Sequence, residues 1–136
     1  MDMNVEQIVA RAHELHADGY NCAQAVACAI APQMDVDADQ LFRALEGFGL
    51  GMGDMSQTCG AISGAVAVVG LSNSNGSDGP RSKGATYKIS REVPQRFGRQ
   101  NGTTVCRELK GVDTGSPVRS CPDCIEDAVR IVLDLI

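Results

Sequence analysis

The chain contains no tryptophan, two tyrosines and three phenylalanines, so aromatic residues make up 4% of its 136 positions. A core built without them must be filled by Ala, Val, Ile, Leu and Met. Small apolar side chains without long β-branched runs favour close-packed helices over sheets. There is no strand-like alternation and no internal repeat. Long apolar runs are missing too. No charged residue lies between Asp54 and Asp78, yet the apolar stretch 61–71, broken only by Ser63, is about half of what crosses a bilayer. It predicts a buried helix. The start, Met1-Asp2-Met3-Asn4-Val5-Glu6, is acidic and lacks the apolar segment of a secretory signal, which sets the expected location as cytoplasmic. The sequons at Asn75 and Asn101 then carry no meaning. A net charge of −5 argues against nucleic acid or an anionic membrane as partner. Ser-His-Asp constellations, phosphate-binding loops and dinucleotide fingerprints are likewise absent.

What remains predicts an all-α fold, one compact domain spanning 1–136 with about five to seven helices. Val5, Ile8, Val9, Ala12 and Leu15 repeat at helical spacing, so residues 4–17 form a first helix that ends at Asp18-Gly19. Asn21 is a natural N-cap for a second helix reaching Ile30. Asp37 with Gln40 resembles a capping box that opens a third. Glycines at 47, 49, 51 and 53 then impose a loop able to adopt left-handed dihedrals. Ser56 or Thr58 is expected to cap a fourth helix from Cys59 to about Leu71, on which Gly60, Gly64 and Ala67 leave a strip open to a neighbouring helix or a ligand. Residues 72–84 read as a flexible loop. A fifth helix follows on Ala85, Ile89, Val93 and Phe97, kinked or cut at Pro94. Thr103 or Thr104 opens a short sixth, and the last runs from Pro122 onward. Ile131, Leu133 and Leu135 widen the apolar face of that last helix, which suggests a helix-mediated homodimer.

Six cysteines without an export signal read first as metal-binding or redox-active. Four of them fall in or beside the first turn of a predicted helix: Cys22, Cys59, Cys106 and Cys121. Unpaired backbone N–H groups and the positive dipole end at such a position favour the thiolate, which is both nucleophile and metal ligand. Cys28 lies roughly 120° around the second helix from Cys22, at about 100° per residue, and reads as a packing residue. Cys124, in the group Cys121-Pro122-Asp123-Cys124, is a second ligand from the same helix start or a resolving thiol. The loop glycines 47–53 can form a nest of N–H groups facing sulfur or another anion. Gly49, Gly51, Gly53, Gly60 and Gly64 are therefore the candidate cofactor-contacting glycines. His13 and His16, without a third ligand nearby, read as ordinary histidines. Residues 81–110 hold eight of the twelve Lys and Arg, while 1–54 hold nine acids against two bases. The expectation is an intramolecular charge match, with docking of an acidic electron-transfer partner as the alternative.

Taken together, Tyr20-Asn21-Cys22-Ala23-Gln24-Ala25-Val26, Gly49-x-Gly51-Met52-Gly53, Cys59-Gly60-Ala61-x-x-Gly64-Ala65, Cys106-Arg107-Glu108-Leu109 and Cys121-Pro122 resemble the redox-active family named for its C, GCAxxG, C, C signature. Here Cys59 and Gly60 stand in the reverse order to the label. The resemblance implies a small helical protein with a metal or iron–sulfur centre or redox-active thiols, and it places the family cysteines at Cys22, Cys59, Cys106 and Cys121. Similarity to a domain of a split-Soret type of cytochrome favours iron–sulfur chemistry. The leading expectation is thus a redox protein holding an iron–sulfur cluster through Cys22, Cys59, Cys106 and Cys121, with Cys124 as a further donor. A thiol–disulfide oxidoreductase using Cys121 and Cys124 and a structural zinc site of four cysteines are the alternatives.

Overall fold

The computed structural model describes residues 3–136 and is all-α. Seven helices have eight residues or more: α1 (Val5–Ala17), α2 (Cys22–Ile30), α3 (Ala38–Leu45), α4 (Gly60–Asn73), α5 (Lys83–Ser90), α6 (Glu92–Asn101) and α8 (Cys121–Leu135). A five-residue turn of helix, α7 (Cys106–Lys110), lies between the last two. Among the described residues there is no strand, only an isolated antiparallel bridge between Thr58 and Val105, and no helix is long and apolar enough to cross a membrane.

The starts of α1 and α2 follow from their sequences. Asn4 and Gln7 exchange hydrogen bonds as a capping box, and Asn21 and Gln24 repeat the device, each satisfying two N–H groups that a helix start leaves unpaired. Asp37 caps α3 by accepting from the Gln40 N–H at 3.0 Å. The expected caps of α4 are not used: neither Ser56 nor Thr58 plays that role, and Cys59 is itself the N-cap. The predicted fifth helix is cut in two at Arg91, three residues before Pro94. Pro94 has no N–H to give to the Ser90 carbonyl, so the regular ladder stops there and restarts with the proline in the first turn of α6.

Helix α2 is the axis of the bundle. It packs against α1, α3, α4 and α8, and from Ala23 to Ile30 every residue is buried. Four alanines make it thin enough to be surrounded. Gly64 on α4 sits so close to the Ala23 carbonyl that a Cβ there would collide with it, so the small-residue strip serves helix–helix approach. Val26, Ile62, Val68, Phe97, Ile125 and Val129 fill the space around it, in one core cluster.

Two surface expectations are corrected. Among the described residues, ion pairs from the basic segment 81–110 run from Arg96 to Glu92 and Asp134 and from Arg107 to Asp113, not to the acids of residues 3–54. The pair that does reach an acid of the N-terminal part is Arg130 to Glu6, from α8. Topology explains this: α1 lies along α8, so its acids meet the bases of that helix. Ile131 is buried, and Leu133 and Leu135 pack partly on the core, so the broad apolar face of α8 is consumed within the protomer. The homodimer expectation loses that support.

Candidate metal and redox centre

Five of the six cysteines line one cavity of about 180 Å³: Cys22, Cys59, Cys106, Cys121 and Cys124. Cys28 does not reach it. Around the thiols stand Leu50 and Leu109, the polar Asn21, and three groups that sequence reasoning did not bring here, His16, Lys110 and Arg119. Their arrival depends on tertiary approach. His13 diverges from His16 and meets Glu126 at 3.4 Å, so the two do not share a site.

Each thiol is fixed by its backbone. Cys22 opens α2, Cys106 opens α7 and Cys121 opens α8, while Cys59 caps α4, which bears out the placement of cysteines at helix starts. Cys59 and Cys106 are set side by side by main-chain bonds around the isolated bridge: Cys59 N–H donates to the Thr104 carbonyl at 2.8 Å, and Cys106 N–H to the Gln57 carbonyl at 2.9 Å. The start of α2 is pinned from the other side. Asn21 Nδ2 donates to the Glu46 carbonyl at 2.9 Å, and the buried Gln24 donates to the Phe42 carbonyl at 3.0 Å.

The glycine loop adopts the left-handed dihedrals that its composition permits. Leu50, Gly51, Met52 and Gly53 all have positive φ, as does Met55. Non-glycine residues held there store strain and concentrate at functional sites, and Leu50 lines the cavity from this turn. Gly51 is required on two counts: its φ is +55°, and a Cβ would come within 2.5 Å of Cys106 Cβ. Gly49 is pressed against the Asn21 side chain, and Gly53 ends the turn with φ +94° and open space around it. Of the five candidate glycines, Gly60 lines the cavity, whereas Gly49, Gly51 and Gly64 give room to neighbouring residues. A Cβ at 60 would sit 3.1 Å from the Phe48 carbonyl and 3.3 Å from the Ala23 nitrogen, a tight place that glycine relieves, while both Cys59 and Gly60 line the cavity.

Helix starts alone do not decide the charge of these thiols. Cys121 is pulled down to about 5, first by a hydrogen bond from the Cys22 thiol and then by Lys110, whose Nζ donates to Cys121 Sγ at 3.2 Å. Cys59 is also lowered, by a hydrogen bond from Cys124 and by the N–H groups of Ala61 and Ile62 at the start of α4. The donors shift in the opposite sense. Cys22 is raised by its bond to Cys121 and by burial, and Cys124 by its bond to Cys59 and by burial. Cys106 rises chiefly through burial. The expectation of a thiolate at every helix start is therefore corrected for Cys22 and Cys106, where burial and neighbouring sulfurs outweigh the dipole.

The thiols thus stand in unlike settings, Cys59 and Cys121 lowered and Cys22, Cys106 and Cys124 raised. Cys121 and Cys124, three residues apart, also differ in their partners: Cys121 Sγ accepts from Lys110 Nζ at 3.2 Å, whereas the Cys124 thiol lies 4.0 Å from the Arg119 carbonyl. As they stand, no three His, Cys, Asp or Glu side chains among the described residues gather around a point that would suit one metal ion. The chemistry of the lining is nonetheless that of a thiolate site: five soft donors in a mainly apolar cavity, with Lys110 supplying positive charge while Arg119 is held by Asp127. No curated protein and no solved structure matches the chain. Residues 20–135, which include all five of these cysteines, match the sequence profile of the family described as "Putative redox-active protein (C_GCAxxG_C_C)", and the chain belongs to that family.

Proposed function

We propose that this redox-family protein holds an iron–sulfur cluster in the cavity, with Cys22, Cys59, Cys106 and Cys121 as ligands and Cys124 as an additional donor, and passes electrons to a partner protein. The observation that supports this reading is the convergence of five thiols from four separate stretches of chain on one cavity. A single zinc ion bound at about 2.3 Å draws its thiolates into mutual contact. Here no three ligand side chains among the described residues gather around one point, which suits a centre of several sulfide-bridged metal atoms better than one ion.

When bound, such a cluster supplies one-electron chemistry at a potential set by charge, sulfur hydrogen bonds and solvent exposure. The chain's own residues act on those three variables. Lys110 offsets negative charge at the thiolates, and the N–H groups of Ala61 and Ile62 face the Cys59 sulfur. Leu50 and Leu109 add apolar surface to the lining. The strained turn at 50–53 carries Leu50 into the lining and packs through Gly51 against Cys106.

The test is purification of the full chain without air, followed by assay of iron, acid-labile sulfide and zinc and by visible absorption. Iron and sulfide in comparable amounts are expected. Stoichiometric zinc without sulfide would select the structural site, and metal-free protein would reject both.

A further inference from the structure

Helix α4 carries no charged residue, and a helix without a charged face is ordinarily covered on all sides. Here α2, α8, α5 and α6 cover part of it, while Ser63, Val66, Ala67 and Gly70 stay half-buried along an outer face. That face is the floor of a groove of about 410 Å³. Phe48 and Met52, 38% and 45% exposed, form one wall, and Pro94 of α6 stands in the other. Farther along α4, Gly70 shares a second depression with Lys83 and Tyr87 of α5. Arg91 lies between the two, four residues after Tyr87 and three before Pro94, about one helical turn from each.

The two walls belong to stretches of opposite charge. Residues 35–58 hold Asp35, Asp37, Asp39, Glu46 and Asp54 against Arg43, and Glu46 and Asp54 flank Phe48 and Met52 in the chain. Residues 81–100 hold Arg81, Lys83, Lys88, Arg91, Arg96 and Arg99 against Glu92. Among the described residues none of those five aspartates and glutamates forms an ion pair, and of the six bases only Arg96 does. We propose that the groove is the interface of a symmetric dimer, in which a second copy of this chain lies face to face on α4 about a twofold axis running along that helix. A partner of one charge sign would be drawn to one wall and repelled by the other, whereas this chain presents both signs. With the axis along α4, the acidic wall of each copy faces the basic wall of the other; with the axis across α4, like walls would meet. Ser63, Ala67 and Gly70 let two α4 helices approach closely, and Tyr87, 60% exposed, supplies an aromatic anchor beside the seam. This face is separate from that of α8 and does not depend on the metal reading. It does touch the site, since the turn that gives Phe48 and Met52 to the groove gives Leu50 to the thiol cavity.

The experiment is sedimentation of the full chain under reducing conditions, with circular dichroism as a check of folding. The wild-type protein should sediment at twice the 14.3 kDa of one chain. Ala67→Glu, which places a charge on the groove floor, should raise the dimer dissociation constant at least about tenfold while the helix content is unchanged. Two charge-reversed forms, Glu46→Lys with Asp54→Lys and Lys83→Glu with Arg91→Glu, should each be monomeric alone, because like charges then meet at both halves of the interface. Mixed in equal amounts they should form a heterodimer, since every acidic wall again faces a basic one. The exposed charge variants keep the test decisive if Ala67→Glu folds badly. A wild-type chain that is monomeric at about 100 µM, open-ended larger assemblies, a dimer indifferent to these substitutions, or charge-reversed forms that stay monomeric on mixing would each overturn the proposal.

Discussion

The two ends of α2 carry the same residue type in different surroundings. At the start, Cys22 is flanked by a capping box and faces a cavity that it shares with two cysteines of α8. Two turns on, Cys28 is enclosed with Ala27, Ala29 and Ile30, and burial alone raises its thiol, against a weaker pull from Arg11. The difference lies not in the cysteine but in what the helix end offers. A helix start has free N–H groups and needs neighbours to satisfy them, so other chain segments converge there; a helix interior has none and is simply packed. In this protein chemistry collects at the helix starts and stability in the alanine-lined middle.

The largest break in that comparison should come from removing a sulfur at the converging end. Cys22→Ser, Cys59→Ser, Cys106→Ser and Cys121→Ser are each expected to lose metal by orders of magnitude, as an open ligand position does, while Cys28→Ser and Cys124→Ser retain it. Metal analysis of protein prepared without air decides this. Cys28→Ser should register instead in denaturant unfolding, as a loss of about 1–2 kcal/mol from an unsatisfied hydroxyl. If Cys28→Ser lost metal as fully as Cys22→Ser, the two ends would not differ in kind.

Next in size is Gly64→Ala. Its Cβ meets the Ala23 carbonyl, so α2 and α4 must move apart, at a cost of about 1–3 kcal/mol in unfolding experiments. Gly51→Ala should cost a similar amount through its positive φ and its approach to Cys106, but with weaker metal retention as a second effect that Gly64→Ala lacks. Equal metal loss in both variants would show that the loop has no role separate from general packing.

A smaller and more local contrast concerns pH. In metal-free reduced protein the thiolate is the species that alkylates, so a thiol lowered to about 5 should react at about pH 6–7, where Cys28, raised above its ordinary value, stays inert. The rate at Cys121 should fall as pH drops through about 5, and Lys110→Met should move that midpoint upward. Alkylation resolved by mass spectrometry measures both. A Cys121 midpoint unchanged by Lys110→Met would remove the lysine from the account.

Much of this plan is visible before folding is considered. The Asn21/Gln24 box, the phase of Cys28 and the turn-forming glycines rest on local rules, and local rules hold wherever neighbours do not override them. Cys59 shows where they give way. A thiol is a poor cap by propensity, so Ser56 and Thr58 look better, yet the bridge to Val105 pulls the strand-like segment straight through them and leaves Cys59 at the helix start. His16, Lys110 and Arg119 were beyond local reading for another reason. Each lies on an element whose sequence carries no mark of the cavity, and only the packing of α1 and α8 on α2, with the chain from α7 into α8, brings them to it. The acids of the N-terminal part failed as partners of the 81–110 bases because composition records charge, not adjacency.

The cavity lining also has a meaning in time. It joins the early Cys22 and Cys59 to the late Cys121 and Cys124, and both late ones arrive in the first turn of α8. The ninety-nine residues from Cys22 to Cys121 take roughly 5–20 s to synthesise. Throughout that interval the early thiols have no partner, and the cavity has no floor. On the cluster reading proposed above, loading must therefore wait for α8, and the ribosome, by finishing that helix, delivers both missing sulfurs together.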